Sequence, residues 1–578
     1  MALAPLSLLL LSFLILCPLT SATPTTHNST NHQLTICNAT PFPELCLDSL
    51  KLSISISINP SILSIALRSL ESAVTALSNT SPLLSYPSIV EAHRGALQDC
   101  RELQSSTLSS LRRSSSLLSS STASKAVADA RAHLSAALTN KDTCLEGLSG
   151  ARGPQVPALI NALTNSYRYV SNSLSLVSCS GGDRRRGRRL EARPSPGWLR
   201  PRKKLLLDSG DYSGYDTASV LTVAADGSGN FSTVGEAVAF APNNSADATI
   251  IVVRSGVYEE NVQIPSYKTN IALLGEGSDV TFIKGNRSVG DGWTTFRSAT
   301  VAVSGQGFLA RDLTFQNTAG PAKGQAVALR INADFSAVYL CTIDGYQDTL
   351  YVHSFRQFYR ECNVSGTVDF IFGNAAVVFQ GSNLIAKKPM PTQTNVITAQ
   401  SRDDPNENTG ISIQNCSVLA SDDLASDKGG TKTYLGRPWR LYSTAVYIES
   451  YIDDIVDPAG WTKWSPDWGD EGLDTLYYGE YMNSGPGAAT DNRVTWPGFH
   501  VMEYDDAYNF TVSEFIYGDT WLDFDSAHEI PLVGENSITL FWFAWLVAER
   551  SRAAARLGAN RTTRAKSSSY STMSGEAR

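Results

Sequence analysis

At 578 residues the chain is too long for one ordinary hydrophobic core, and 42 % hydrophobic with 18 % charged residues is the composition of a globular protein, not of a disordered or fibrous one. A net charge of −8 gives no basic footing for nucleic acid. Two folded units with appendages are expected.

Residues 1–22 hold a largely apolar stretch from Leu6 to Leu19 followed by Ser21 and Ala22, which predicts a secretory signal peptide. No later stretch is long enough for a membrane span: Ile538 to Ala548 is mostly apolar for 11 residues, against the roughly 20 that a bilayer requires. A mature protein outside the cell fits the nine cysteines, of which Cys17 falls in the signal, and the ten Asn-x-Ser/Thr sequons between Asn28 and Asn560.

Residues 31–178 are rich in Ser, Ala and Leu, with apolar positions three and four apart, the pattern of a bundle of amphipathic helices. Cys37 and Cys46 lie close together and Cys100 and Cys144 far apart, so a local staple and a cross-bundle staple are the natural pairing; Cys179 is left over. Residues 179–219 carry the basic clusters Arg184 to Arg189 and Arg202 to Lys204 among Pro, Gly and Ser. In a secreted chain these predict a linker cut by a processing protease.

From 220 to 522 the pattern changes to short apolar runs punctuated by Gly and Asn, such as Ile250 to Val253 and Ile271 to Leu274. This stretch has 19 Lys and Arg against 35 Asp and Glu, a net −16 that predicts repulsion from any polyanion. Within it one spacing recurs. Asp348 and Asp369 are 21 residues apart, Gln325 and Gln347 are 22 apart, and Cys341 and Cys362 are again 21 apart. A period of that size predicts a solenoid whose coils stack equivalent residues about 4.8 Å apart, gathering Gln325, Gln347, Asp348 and Asp369 into one cluster. The same stacking brings Cys341 and Cys362 within disulfide range, two reduced core thiols being the alternative. Residues 523–578 end in Arg- and Ser-rich sequence and are expected to lack a fold.

Five blocks in fixed order carry a resemblance: Gly256 to Glu260, Gln325 to Ala328, Gly345 to Leu350, Asp369 to Gly373, and Leu435 to Trp439. Together they resemble the plant pectinesterases, and Leu134 to Asn140 followed by Thr143-Cys144 is similar to the pectinesterase-inhibitor pro-region. The resemblance implies a right-handed parallel β-helix at 220–522 and a four-helix bundle at 31–178. It implies removal of methyl esters from cell-wall pectin, giving pectate and methanol in the apoplast without metal or cofactor.

By the same resemblance Asp369 is the nucleophile, Gln347 the transition-state stabiliser and Thr295 a substrate contact; the residue chemistry makes Asp348 the proton donor and later the base, and adds Gln325, Arg437 and Trp439 to the substrate-binding set. Chemistry agrees: two adjacent carboxylates resist double ionisation, an Arg beside one decides which keeps the proton, and neutral amides suit a developing oxyanion. Trp464 and Tyr346 are further candidates. A pectin lyase would need Ca²⁺-binding carboxylates, and a polygalacturonase two carboxylates without Gln donors; the paired glutamines argue against both. The helical pro-region is expected to mask the active face, or to restrain export, until the linker is cut. Relatives carry a cysteine one coil beyond Cys362, where this chain has Ser382.

Overall fold

The computed structural model describes residues 29–180 and 220–522, apart from 52–60, 87, 122, 427–429, 466 and 468. The expected signal peptide, the basic clusters of the linker and the 523–578 tail lie outside the described residues.

The N-terminal unit is helical: α1 (Ser29–Asn38), α2 (Pro43–Lys51), α3 (Ile62–Thr80), α4 (Ala96–Ser120), α5 (Ser124–Gly147) and α6 (Val156–Ser180). The last four form the bundle. In α3, Ser61 caps the first turn through its hydroxyl oxygen, which accepts from the amide of Ser64 at 3.2 Å, and Ile65, Ala66, Leu70, Ala73 and Leu77 are buried at helical spacing. Helix α5 differs. It is Ala-rich and buried almost all round, from Ala126 through Cys144, as a helix must be when it is covered on two sides. Cys37–Cys46 and Cys100–Cys144 are disulfides, with Cα separations of 5.4 and 4.6 Å, and Cys179 is disulfide-bonded as well.

The C-terminal unit is a right-handed parallel β-helix of three sheets, with eleven, seven and eight strands among the described residues, every named pairing between neighbouring coils being parallel. Leu329, Leu350 and Ile371 stack in register, repeating the step that separates Asp348 from Asp369, and Ala337 stacks on Phe358 by the same step. Later coils are longer: Val378 pairs with Ser412 and Ser412 with Val446, because the corners of these coils carry loops. Inside the coils Phe315, Ile343, Val364, Phe370 and Phe379 are fully buried. Removing the side chain of Phe370 would cost about 3–5 kcal/mol.

The register carries Cys341 and Cys362 to neighbouring coils, but the expected disulfide between them is absent: both are buried free thiols, as is Cys416. In-register neighbours on parallel strands run side by side about 4.8 Å apart, and a disulfide needs Cβ atoms that converge to about 3.8 Å. Here each thiol turns back to the backbone, Cys341 to the carbonyl of Tyr339 at 3.3 Å and Cys362 to those of Arg360 at 3.3 Å and Val338 at 3.4 Å.

The helical unit packs on the seven-stranded sheet. Ala302, Tyr351, Phe372 and Ala399, outward residues of four strands of that sheet, share one apolar cluster with the bundle core.

Candidate active site

Asp348 and Asp369 occupy the same turn on successive coils, each two residues before its strand (Leu350–Val352 and Ile371–Gly373). The amide of Asp348 donates to the carbonyl of Val368 at 3.0 Å, so the coil period itself stacks the two turns. Both have left-handed backbone, φ 61° and 51°, which costs a non-glycine residue energy and is typical of positions held for a purpose. Gly373 closes the second motif at φ +129°, where a Cβ would collide with the carbonyl of Val352.

Arg437 follows strand Thr433–Gly436 and grips Asp369 with two parallel bonds, Nε to Oδ1 at 2.8 Å and Nη2 to Oδ2 at 2.6 Å. Its third nitrogen donates to the carbonyl of Trp464 at 3.1 Å, and the guanidinium lies 4.4 Å from the Trp464 ring. This fork fixes the orientation of the carboxylate. Asp348 has no such clamp. Burial pushes its carboxyl well above the usual range, the Asp369 charge adds to that, and Arg437 opposes it. Burial raises Asp369 as well, with Arg437 pulling it back. The shared proton therefore belongs on Asp348.

A cavity of about 400 Å³ brings together Thr295, Gln325, Gln347, Asp348, Asp369, Arg437 and Trp439. Gln325 and Gln347 are linked through the backbone, the amide of Ala326 donating to the carbonyl of Gln347 at 3.2 Å. Among the described residues neither side-chain amide has a hydrogen-bond partner, which leaves both for a ligand. Trp464 also lines the cavity and stacks on Trp439, with centroids 6.2 Å apart. Tyr346 does not reach it and lies instead under the ammonium of Lys387 at 4.5 Å.

Sequence reasoning missed part of the wall. Tyr351 and Phe372 stack at 4.2 Å on the cavity floor, and their spacing, the same as that of the two aspartates, was there to be read. It also missed Asp99, Thr143 and Glu146 of the helical unit, which line the same cavity. Asp99 accepts from Arg297 Nε at 2.7 Å and from Thr294 at 2.5 Å, Thr143 bonds His353 Nε2 at 2.9 Å, and Glu146 is ion-paired to Arg440. Nothing local in the sequence announces contacts between residues so far apart along the chain. Further ties across the boundary include Arg356 to Asp129 at 2.8 Å, Asn374 to Thr139 at 3.0 Å and Ser135 to Asn408 at 3.1 Å. Among the described residues no group of acids, His and Cys has the arrangement of a metal site, and no helix is long and apolar enough to cross a membrane.

Family models agree with these two units. The pectinesterase model matches residues 220–519, and the plant invertase/pectin methylesterase inhibitor model matches 34–176. The protein called probable pectinesterase/pectinesterase inhibitor 12 of Arabidopsis thaliana is 58 % identical over 84 % of this chain and 91 % of its own. Pectinesterase/pectinesterase inhibitor PPE8B of Prunus persica is 50 % identical over 69 % and 74 %. Among solved structures, pectin methylesterase from carrot is 54 % identical with a TM-score of 0.51, covering 52 % of this chain and 94 % of its own, so a stretch about the length of the β-helical unit accounts for almost all of it. The chain belongs to the pectinesterase family, enzymes that hydrolyse carboxylic esters, and carries at its N-terminus a unit of the pectin methylesterase inhibitor family.

Proposed function

We propose that the β-helical unit removes methyl esters from homogalacturonan, leaving pectate and methanol, with Asp369 as nucleophile and Asp348 as acid and then base. The observation that carries this reading is the asymmetric pair: one carboxylate clamped by Arg437, its neighbour unclamped and raised by burial, in a cavity with two uncommitted amides.

An Asp369 oxygen attacks the ester carbonyl carbon, and the oxyanion takes amide hydrogens from Gln347 and Gln325. Collapse breaks the bond to methoxide, which leaves as methanol with the proton of Asp348. An anhydride of Asp369 and the uronate remains. The now ionised Asp348 takes a proton from water, the hydroxide adds to the uronyl carbon, and the carboxylate of Asp369 departs. Trp439, with Trp464 stacked behind it, offers an aromatic face to a sugar ring, and Thr295 lines the same cavity.

The helical unit, on this proposal, keeps the enzyme off until a protease cuts the basic linker in the secretory route or the wall. Supporting it, Asp99, Thr143 and Glu146 wall the cavity that the polymer must enter. The test is methanol release from methylated pectin by the intact chain and by chain cut in the linker, beside Asp348→Asn and Asp369→Asn. Release after cutting and none from the Asp369 variant is the expected result. Unsaturated sugar or new reducing ends without methanol would overturn the assignment.

A further inference from the structure

We propose that Lys387 and Thr349 are positioning residues for the ester hydrolysis: from outside the cavity they hold the turn that presents Gln347 and Asp348. This rests on the reading of Gln347 as oxyanion donor and Asp348 as acid.

The turn from Gly345 to Thr349 needs holding. It carries both groups at adjacent positions, and Asp348 has left-handed backbone at φ 61°, which a non-glycine residue keeps only where its surroundings enforce it. Three backbone bonds tie the turn to the next coil. The amide of Gly345 donates to the carbonyl of Ser365 at 3.2 Å, that of Asp348 to Val368 at 3.0 Å, and in return that of Thr367 to Tyr346 at 3.0 Å. The next coil carries Asp369, so the same ties set the spacing of the two carboxylates.

Two side chains brace these ties. Thr349 is fully buried, and its hydroxyl proton is shared between the carbonyl of Tyr346 at 3.0 Å, inside the turn, and that of Ser365 at 3.1 Å, on the next coil. Gly345 and Gly366 make room for it, since a Cβ at the first would stand 2.8 Å and at the second 2.6 Å from the Thr349 hydroxyl oxygen. Lys387 braces the turn from the eight-stranded sheet. Strands Thr342–Asp344, Asn363–Gly366 and Asn383–Ala386 pair in register on three successive coils, and just past the third the amide of Lys387 donates to the carbonyl of Gly366 at 2.8 Å. Its side chain reaches back two steps, or about 10 Å along the stack. There Nζ donates to the carbonyl of Gly345 at 3.0 Å and to Asp344 Oδ1 at 2.5 Å. Asp344 is itself fixed, accepting from Ser365 at 2.5 Å and from Gln316 at 2.7 Å. A surface ion pair would account for Lys387 and Asp344 alone; it does not account for the bond to Gly345, which opens the catalytic motif. Neither Lys387 nor Thr349 is among the residues that line the catalytic cavity. Both act on the reaction only through where Gln347 and Asp348 stand, and errors of that kind are costly in an active site.

Methanol release is measured on chain cut in the linker for the parent, Lys387→Met, Thr349→Val and Thr349→Ser. In the intact chain labelled with ¹³C at the aspartate Cγ, the Asp348 carboxyl, identified by its absence from Asp348→Asn, is titrated by NMR in the parent and in Lys387→Met. Lys387→Met should lower kcat about 10- to 100-fold with KM retained, the scale of a displacement of about 1 Å. Thr349→Val should do the same, and Thr349→Ser, which keeps the hydroxyl, should recover most of the loss. The charged groups that face Asp348 are Asp369, Arg437 and Glu146. A loosened turn lets Asp348 move away from Asp369 and toward water, so its titration should fall by about 0.5–1 pH unit. Loss of the Lys387 charge acting by itself would move it the other way. Thr349 is buried and its Val variant can fail to fold; Lys387 is partly exposed, so that variant alone decides. Where the parent releases methanol, an unchanged kcat in Lys387→Met, even with a lowered Tm, overturns the proposal, as does a loss confined to KM. A titration that stays in place or rises overturns it in every case. The predicted fall in titration, with no methanol from the parent, keeps the positioning and refutes the esterase reading instead.

Discussion

The two units of this chain pair their buried charges in opposite ways. In the β-helix the catalytic ion pair and two deeper ones are matched within the unit, Arg437 to Asp369, Arg356 to Asp334 at 2.7 Å, and Arg493 to Glu480 at 2.7 Å, while buried Arg297 takes its carboxylates from the other unit. In the helical unit Asp99, Asp129 and Glu146 find their cations across the boundary, on Arg297, Arg356 and Arg440. A buried pair is strongly destabilised when one member is removed, by about 3–5 kcal/mol, because the other charge stays behind. The β-helix can therefore keep its catalytic charges when it stands alone, and the helical unit carries acids that gain most from docking. On the function proposed above, one unit is the machine and the other its cover.

The sharpest way to break that division is at the nucleophile. Asp369→Asn should lower kcat on the order of 10⁴-fold or more, the scale seen when a catalytic group of a triad is removed, whereas Glu146→Gln on the cover should not lower it. Comparable losses in both would mean that the helical unit takes part in the chemistry. Gln347→Ala comes next. Losing one oxyanion donor costs about 2.7–4 kcal/mol, or 10²–10³ in kcat, with KM little changed; a change confined to KM would make Gln347 a ground-state contact.

How far the sequence carried this picture depends on the distance between interacting residues. Asp348 and Asp369, or Gln325 and Gln347, are legible because a solenoid converts one coil length of sequence into a contact. Tyr351 and Phe372 obey the same arithmetic yet read as core, since outward aromatic residues look apolar until it is known which face the cleft occupies. The thiols show the limit from the other side: register predicts that Cys341 and Cys362 are neighbours, and they are, but side-chain direction, which spacing does not encode, decides that they remain unbonded. Helix α5 misleads in composition alone, since its Ala-rich, nearly uniform burial reflects a partner in the other unit. Arg297 and Arg440 carried no signal at all, because their partners lie across the same boundary.

Covalent staples divide the units as well. Reducing agent, or Cys100→Ser with Cys144→Ser, should lower the stability of the helical unit by about 2–4 kcal/mol, the range for a disulfide closing a loop of this kind. Calorimetry on the cut protein should then show one transition moving and the β-helical one fixed. If both transitions moved together, the two units would be folding as one.

A smaller effect is expected from pH, and it acts on the boundary. Burial, only partly offset by Arg440, raises Glu146 to about 7, above the ordinary glutamate value of 4.5, so docking favours its protonated form. Its contribution is complete below about pH 4.5 and fades as pH rises toward 7, by up to about tenfold in affinity per pH unit. After linker cleavage the units should co-elute in size exclusion at pH 5 and separate progressively toward pH 8. Tighter association at the higher pH would show that ion pairs such as Arg440–Glu146 outweigh burial.

The smallest effect is at the free thiols, and it tests why the β-helix needs no staple. Cys362, Ser382, Cys416 and Ser450 stand at one position of four coils, and each of the last three receives the backbone amide of the one before: Cys362 N to Ser382 Oγ at 3.1 Å, Ser382 N to Cys416 Sγ at 3.4 Å, and Cys416 N to Ser450 Oγ at 3.1 Å. The ladder accepts oxygen or sulfur because what each rung requires is a small acceptor for one N–H. Cys416→Ser keeps that acceptor and changes the volume little, so it should cost about 1 kcal/mol or less, against the larger loss from opening the Cys100–Cys144 bridge. A loss above about 2 kcal/mol in denaturant unfolding would mean that the rung works by packing the sulfur and not by satisfying the amide, and stacking alone would no longer explain a thiol-bearing unit that holds together without a disulfide among its described residues.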